Sequence, residues 1–103
     1  MFGAGGDRDT GKRKQMGEVA DKYADEIIVT SDNPRNEDPA KIADMIIDGI
    51  SNESKIHIEL DRSKAISRAI DKMDGTSTLL VCGKGLCHTL IACLFRPFYQ
   101  LLD

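Results

Sequence analysis

Apolar positions along the chain recur with the spacing of helices. The first helix is predicted over 12–23, where four apolar residues fall at i, i+3, i+4 and i+7, namely Met16, Val19, Ala20 and Tyr23. The second is predicted to begin at Asp38, an N-cap residue followed by proline, and its stripe is Ile42, Met45, Ile46, Gly49 and Ile50. The third carries Ile66, Ala69, Ile70 and Met73, and Gly75 is expected to end it with a positive φ.

Short strands are predicted between these helices. The β-branched run 27–29 is continuous, as in a strand buried on both faces, whereas 56–60 alternates apolar and polar residues, as in a strand with one wetter face. Residues 78–82 read as a closing strand, and Met1-Phe2 as the stump of an earlier one. Alternation of helices and strands predicts an α/β fold, a Rossmann-like parallel sheet flanked by helices.

Composition narrows the class of protein. The 103 residues carry 41% hydrophobic side chains, enough for one domain, and a net charge of -3 from 14 basic and 17 acidic residues. No basic surface is expected, so a nucleic-acid partner is not predicted. No export signal is visible, and the apolar end of the chain is too short for a spanning helix, so neither export nor a membrane partner is predicted.

The cysteines add a prediction about location. Three of them lie in the last quarter, which is unlike a disulfide-stapled secreted domain and favours a reducing cytoplasm. Together with one histidine they do not have the spacing of a zinc site, so no metal is predicted; the four residues are Cys82, Cys87, His88 and Cys93.

Each loop after a predicted strand contains a cation, and three also contain aspartate. The cations are Arg8, Arg35, Arg62 and Lys84, and the aspartates are Asp7, Asp9, Asp32 and Asp61. Ligands of open α/β sheets bind at the carboxyl ends of the strands, and mixed charges there suit a zwitterion. The alternative interpretation is that these side chains are ordinary solvated surface charges.

The first loop partly matches a nucleotide-binding motif. Residues 6–12 have the Walker A spacing up to Lys12, but Arg13 replaces the hydroxyl residue that binds magnesium, and aspartates within the loop would repel phosphate. Arg8 also occupies the third glycine position of a dinucleotide fingerprint. A different α/β nucleotide-binding domain is therefore a weaker alternative.

The second loop reads Asp32-Asn33-Pro34-Arg35. These residues have good turn chemistry, which is one interpretation. The other is that Pro34 stiffens the loop and holds the Asn33 amide and the planar Arg35 fork ready for a carboxylate.

Several motifs, taken in order, resemble one family. They are the Gly-rich run 2–13, Met16-Gly17, the run 30–35 followed by Glu37-Asp38-Pro39, Asp61-Arg62 with Ala65-Ile66, and Gly83-Lys84-Gly85. Together they resemble the C-terminal domain of the Mur ligases that add meso-diaminopimelate to a peptidoglycan precursor. The resemblance covers residues 1–85, and implies a Mur ligase C-terminal domain that lacks its first strand and helix.

The resemblance also implies partners and a binding site. The complete enzyme would use ATP and magnesium, with none bound to this chain alone, to join meso-diaminopimelate to a UDP-muramoyl dipeptide. The residues expected to contact diaminopimelate are Arg8, Asp32, Asn33, Pro34, Arg35 and Gly83. No catalytic residue and no independent ligase activity are expected of this chain.

The end of the chain departs from the family pattern. Leu86 and Cys87 stand where the family has His-Glu, which removes a carboxylate expected to hold the substrate ammonium. Residues 86–103 read as an off-pattern apolar tail. A non-catalytic truncated fragment is therefore kept as an alternative function.

Overall fold

A computed structural model describes residues 1–7, 10–82 and 90–92. Its elements follow the predicted alternation of helix and strand. In chain order they are α1 (Gly11–Tyr23), β1 (Ile27–Val29), α2 (Pro39–Ile47), a short 3-10 helix (Glu53–Lys55), β2 (Ile56–Ile58), α3 (Arg62–Lys72), β3 (Leu79–Val81) and β4 (Leu90–Ala92). The predicted α/β fold is confirmed.

Parallel pairing organises the first part of the sheet. β1 and β2 are parallel neighbours, with Ile28 opposite His57. Phe2 forms an isolated parallel bridge to Val29, so Met1-Phe2 runs alongside β1, where the predicted strand stump would lie. On its other side this segment accepts a hydrogen bond from the Cys82 amide at the Met1 carbonyl (2.9 Å). Residues 1–2 therefore lie between β1 and the end of β3.

β4 lies within the segment that the sequence analysis assigns to no element. It pairs antiparallel with β3, with Leu80 opposite Ile91. The pairing of β1 with β2 is thus parallel, whereas that of β3 with β4 is antiparallel.

The core lies on both faces of β1, because all three of its residues are buried as predicted. On one face α1 and α2 cover the larger cluster, whose buried members are Ala4, Ile27, Val29, Ile42, Ala43, Ile46 and Ile50. On the other face α3 covers Ile28 with two alanines, Ala65 and Ala69.

Helix α2 begins as the sequence predicts. The Asp38 carboxylate accepts a hydrogen bond from the Ala40 amide at 2.9 Å, and Pro39 occupies the first turn, where no amide donor is needed. Asp61 caps α3 in the same way by accepting from the Lys64 amide at 3.2 Å. Both caps fix where a strand-end loop turns into a helix.

The predicted packing face of α1 is wrong. Met16, Val19 and Tyr23 are 36%, 57% and 75% exposed, whereas Arg13 and Gly17 are buried. A Cβ at Gly17 would collide with the Ile46 carbonyl, so the two helices approach backbone to backbone there. This close contact fixes which face of α1 packs. Of the four residues of the predicted stripe, Ala20 packs against the core and the other three are exposed.

Three smaller expectations are also corrected. Met45 and Ile58 are 39% and 49% exposed, although both were predicted to lie on apolar faces. α3 ends at Lys72 and Gly75 does not have a left-handed φ. The turn after α3 is closed instead by the Asp74 carboxylate, which accepts from the Thr76 amide at 2.8 Å.

Within the described residues, no helix has the length and apolar character needed to cross a membrane.

Candidate functional site at the carboxyl ends of the strands

The loops after residues 1–2 and after β1 pack directly on each other. The Gly6 amide donates to the Asn33 carbonyl at 3.0 Å, and the Arg35 guanidinium donates to the Gly6 carbonyl at 2.6 Å. A Cβ at Gly6 would collide with the Pro34 carbonyl. Glycine is required at this point because the two loop backbones touch.

Three residues of these loops have left-handed backbone conformations without being glycine. They are Asp7, Asn33 and Arg35, with φ of 55°, 51° and 53°. Such conformations are uncommon for residues with a side chain and concentrate at functional sites. Pro34 therefore lies between two left-handed residues, and the stiffness expected of this loop has more sources than its proline.

An ion pair between the buried Arg13 and the half-buried Glu37 connects to the two loops. Arg13 is 1% exposed, and its two terminal nitrogens donate to Glu37 Oε2 and Oε1, each at 2.8 Å. One of them also donates to the Gly5 carbonyl at 2.9 Å. The Glu37 carboxylate further accepts from the Asp7 amide at 2.7 Å. The pair thus connects α1, the Gly-rich loop and the segment leading into α2.

These bonds set the electrostatics of the site. Hydrogen bonding from Arg13, with a further bond from the Asp7 amide, lowers the pKa of Glu37 to about 2. The same pairing raises the pKa of Arg13. Both groups are therefore charged throughout the neutral range, and the pair adds no net charge beside Arg35.

The loops after β2 and β3 meet the same edge of the sheet through Arg62. Its guanidinium donates to the Ser31 carbonyl and to the Cys82 carbonyl, both at 3.4 Å. The Ser31 hydroxyl donates to the Leu60 carbonyl at 2.6 Å. Arg62, one of the four loop cations of the sequence analysis, thus bridges strand ends through backbone carbonyls.

The structure brings together part of the predicted site. Asp32 is buried at 8% exposure, Pro34 is half-buried, and Asn33 and Arg35 are exposed beside the Gly-rich loop. Arg8 and Gly83 lie outside the described residues, although each directly follows a described residue at this edge, Asp7 or Cys82. The predicted contacts with an amino acid stay predictions.

Sequence reasoning missed the role of Arg13 and Glu37. In the sequence, Arg13 is noticeable only as a mismatch to the Walker A motif, and Glu37 only as part of the motif Glu37-Asp38-Pro39. The available signal was spacing: Arg13 lies one helical turn before Gly17, on the α1 face that packs.

The described residues of the Gly-rich loop do not form a nucleotide phosphate cradle. The Gly6 backbone is pressed against Pro34, and the Asp7 amide is engaged by Glu37. In the part of the chain that the structure describes, no cluster of three or more His, Cys, Asp or Glu side chains could hold a metal ion.

The fold and this edge define a class: an α/β domain whose strand-end loops present charged side chains and an arginine-bearing turn with left-handed residues. By its sequence the chain belongs to the Mur ligase, glutamate ligase domain family, whose profile matches residues 1–85.

Curated relatives agree with this family. The chain is 54% identical over 85 residues to a UDP-N-acetylmuramoyl-L-alanyl-D-glutamate–2,6-diaminopimelate ligase of Aquifex aeolicus, covering 82% of this chain and 18% of that protein. Ligases of the same name from Prochlorococcus marinus (strain NATL1A) and Helicobacter pylori (strain J99) are 55% and 51% identical over 85 residues, covering 82% of this chain and 17% and 19% of those proteins. The chain therefore spans less than a fifth of the length of these relatives.

Proposed function

We propose that the chain is the amino-acid-recruiting domain of a ligase that adds meso-diaminopimelate to UDP-N-acetylmuramoyl-L-alanyl-D-glutamate. The identity to ligases of that name, 54% over 85 residues, supports this assignment most strongly. The residues proposed to contact the amino acid are Arg8, Asp32, Asn33, Pro34, Arg35 and Gly83. In the complete enzyme, one amine of diaminopimelate would attack an activated carboxyl of the UDP-linked dipeptide.

Arg35 is proposed to read the carboxylate at the far end of diaminopimelate. Its left-handed backbone and its bond to the Gly6 carbonyl hold the guanidinium at the strand-end edge. That bond uses Nη1, so a carboxylate would approach the other guanidinium nitrogens. A planar fork binds a carboxylate through two parallel hydrogen bonds, which an ammonium cannot copy. Lysine lacks a distal carboxylate, so the site would favour diaminopimelate over lysine.

The described residues do not fit ATP or magnesium. The backbone of the Gly-rich loop is already in contact with Pro34 and Glu37. Asp7 within the loop and Glu37 beside it are acidic. We therefore derive no step through either group. If the complete ligase uses ATP and magnesium, other parts of that enzyme would hold them.

We also propose a cytoplasmic location for this chain.

The first experiment titrates the 103-residue chain with meso-diaminopimelate and with L-lysine, followed by NMR chemical shifts. Diaminopimelate should bind more tightly, and Arg35→Lys should weaken it by about tenfold or more while leaving lysine within about twofold. Arg68→Lys is the matched control, because Arg68 is an exposed arginine on α3 that pairs with Glu59 at 3.5 Å. Equal weakening of both amino acids by Arg35→Lys would show that Arg35 supports the fold rather than recognising a carboxylate.

The second experiment tests ligation. Residues 1–85 would replace the matching segment of the Aquifex aeolicus relative, and diaminopimelate-dependent phosphate release would be measured. A chimaera with that enzyme's own following residues should turn over. One that continues with Leu86-Cys87 should be about ten- to a hundredfold poorer in kcat/KM, because a neutral thiol replaces an ammonium acceptor.

The departure at positions 86–87 also favours one alternative, a chain that binds the amino acid weakly and takes no part in ligation. If neither chimaera turned over while diaminopimelate still bound the isolated chain, this alternative would be preferred.

A further inference from the structure

The ion pair between Arg13 and Glu37 joins parts of the chain that carry the candidate site. The two carboxylate oxygens each meet a different guanidinium nitrogen at 2.8 Å. From this centre, one hydrogen bond reaches the Gly5 carbonyl and another comes from the Asp7 amide. The pair therefore holds the Gly-rich loop on both sides of Gly6.

Gly6 in turn is the point where the Gly-rich loop touches the second loop. It donates to the Asn33 carbonyl and accepts from Arg35. Among the residues that the structure describes, no hydrogen bond or ion pair joins Arg13 or Glu37 to Arg35, so the pair acts on Arg35 indirectly. One route passes through Gly6, and the other runs through the turn itself, where the Glu37 amide donates to the Pro34 carbonyl at 3.0 Å. Both routes are short, and the first links the two loops.

Backbone strain makes such support necessary. Left-handed conformations at Asp7, Asn33 and Arg35 persist only where surrounding contacts hold them. The bond from the Asp7 amide to Glu37 and the bond between Gly6 and Asn33 hold two of these residues. Asp7 also accepts a hydrogen bond at its carboxylate from the Asn36 amide group at 3.1 Å. With the pair broken, the strained loops would relax toward ordinary backbone angles.

We propose that Arg13 and Glu37 are positioning residues of this site: their pairing fixes the Gly-rich loop, and through Gly6 it sets the placement of Arg35 without touching the amino acid. The identity of the amino acid rests on the proposed function, whereas the positioning itself does not. A purely structural ion pair would add stability to the whole domain and leave the loop contact unchanged when it is weakened.

The test uses the 103-residue chain labelled with 15N, and compares Glu37→Gln with Asp48→Asn. Glu37→Gln keeps the size of the side chain and removes its charge. Asp48→Asn is the matched control, since Asp48 pairs with Lys14 of α1 at 3.8 Å on the exposed surface. Amide hydrogen exchange is read at Gly6, whose own acceptor is the Asn33 carbonyl and is unaltered by either change. The Glu59 amide, bound to the Val29 carbonyl, reports the sheet.

Glu37→Gln should speed exchange at Gly6 by about tenfold or more and leave Glu59 within about twofold, and Asp48→Asn should change neither. The affinity for meso-diaminopimelate should fall by about tenfold in Glu37→Gln alone. Arg13→Lys keeps the charge but replaces the planar fork of two nitrogens with a single ammonium nitrogen, so it should give an intermediate result in both measurements.

The following outcomes overturn the proposal. Unchanged exchange at Gly6, or faster exchange there with unchanged affinity, would show that the pair does not position the site. If Glu37→Gln accelerated exchange equally at Gly6 and Glu59, or if Glu37→Gln and Arg13→Lys both unfolded, the pair would be a determinant of the whole fold. If the unaltered chain bound no diaminopimelate, the proposed function would fail, and the exchange at Gly6 would still decide whether the pair holds the loops.

Discussion

The two faces of the sheet are covered by different means. On the face of α1 and α2, the described residues include seven buried members of one apolar cluster, and the helices meet so closely that Gly17 has no room for a side chain. On the face of α3, three buried residues form the cluster, and two of them are alanine. Large side chains fill the first face, whereas small ones bring α3 close to the second.

This difference matters because the first face supports the candidate site more extensively than the second. Arg13 belongs to α1, and Glu37 lies just before α2, so the packing of these helices brings the ion pair together. α3 reaches the edge through Arg62 and two longer bonds of 3.4 Å. Destabilising substitutions on the first face should therefore disturb the contacts between the loops. Destabilising substitutions on the second face should mainly lower the free energy of unfolding.

The largest effect is expected from cavities on the two faces. Ile46→Ala, at a side chain with 0% exposure, should lower the free energy of unfolding by about 4 kcal/mol, and Ile28→Ala, at 7% exposure beside small neighbours, by about 2 kcal/mol. Urea denaturation of each variant measures both. If Ile28→Ala costs as much as Ile46→Ala, the two faces contribute alike and the comparison fails.

A smaller effect is expected where the helices touch. Gly17→Ala should destabilise by about 2 kcal/mol, because overpacking against the Ile46 carbonyl exceeds the gain of about 1 kcal/mol in helix propensity. Gly75→Ala is the control, since its Cβ would meet nothing within 4 Å and its φ is not left-handed. That change should stabilise slightly, by about 0.4 to 1 kcal/mol. Thermal or urea unfolding distinguishes the two, and a stabilising Gly17→Ala would refute the close approach.

The smallest effect is expected in the pH dependence of the free energy of unfolding, through the ionisation of Glu37. The pKa of Glu37 is lowered to about 2 from its ordinary 4.5, so the unfolded chain binds a proton more readily than the folded one. The stability that Glu37 contributes should be complete above about pH 4.5 and lost as the pH falls toward about 2. Urea midpoints of the unaltered chain and of Glu37→Gln should therefore differ most near neutrality and converge in acid. A gap that stays constant from pH 7 to pH 3 would contradict the pairing.

Much of the fold could be predicted because its signals are local. Asp38 and Pro39 satisfy the first turn of α2 by themselves, and the β-branched run of β1 needs burial on both faces wherever it lies. The order of elements then leaves few topologies for a parallel sheet. These inferences depend on neighbouring residues, which the sequence displays directly.

The face of α1 could not be predicted in the same way. Met16, Val19 and Tyr23 give the stronger apolar pattern, but a glycine contributes no hydrophobic signal even where it decides how near two helices come. Arg13 was obscured for a similar reason, because arginine is rarely buried and its partner lies 24 residues further along the chain. The candidate site could be located by its loops, but the contacts that hold the loops depend on this tertiary packing.

The position of Met1-Phe2 inside the sheet has a consequence for the time course of folding. This segment is bonded to β1 on one side and, at a separation of 79 residues, to the Leu80 carbonyl on the other. Contacts so distant in sequence require a large loop to close before they yield any stability, and chains rich in them fold slowly. During synthesis, the segment can meet β1 early but must wait until residues 79–81 have been made before β3 reaches it. The strand edge of residues 1–2 would stay open for that interval, so crowding with other nascent chains should lower the yield of folded protein more than it lowers its final stability.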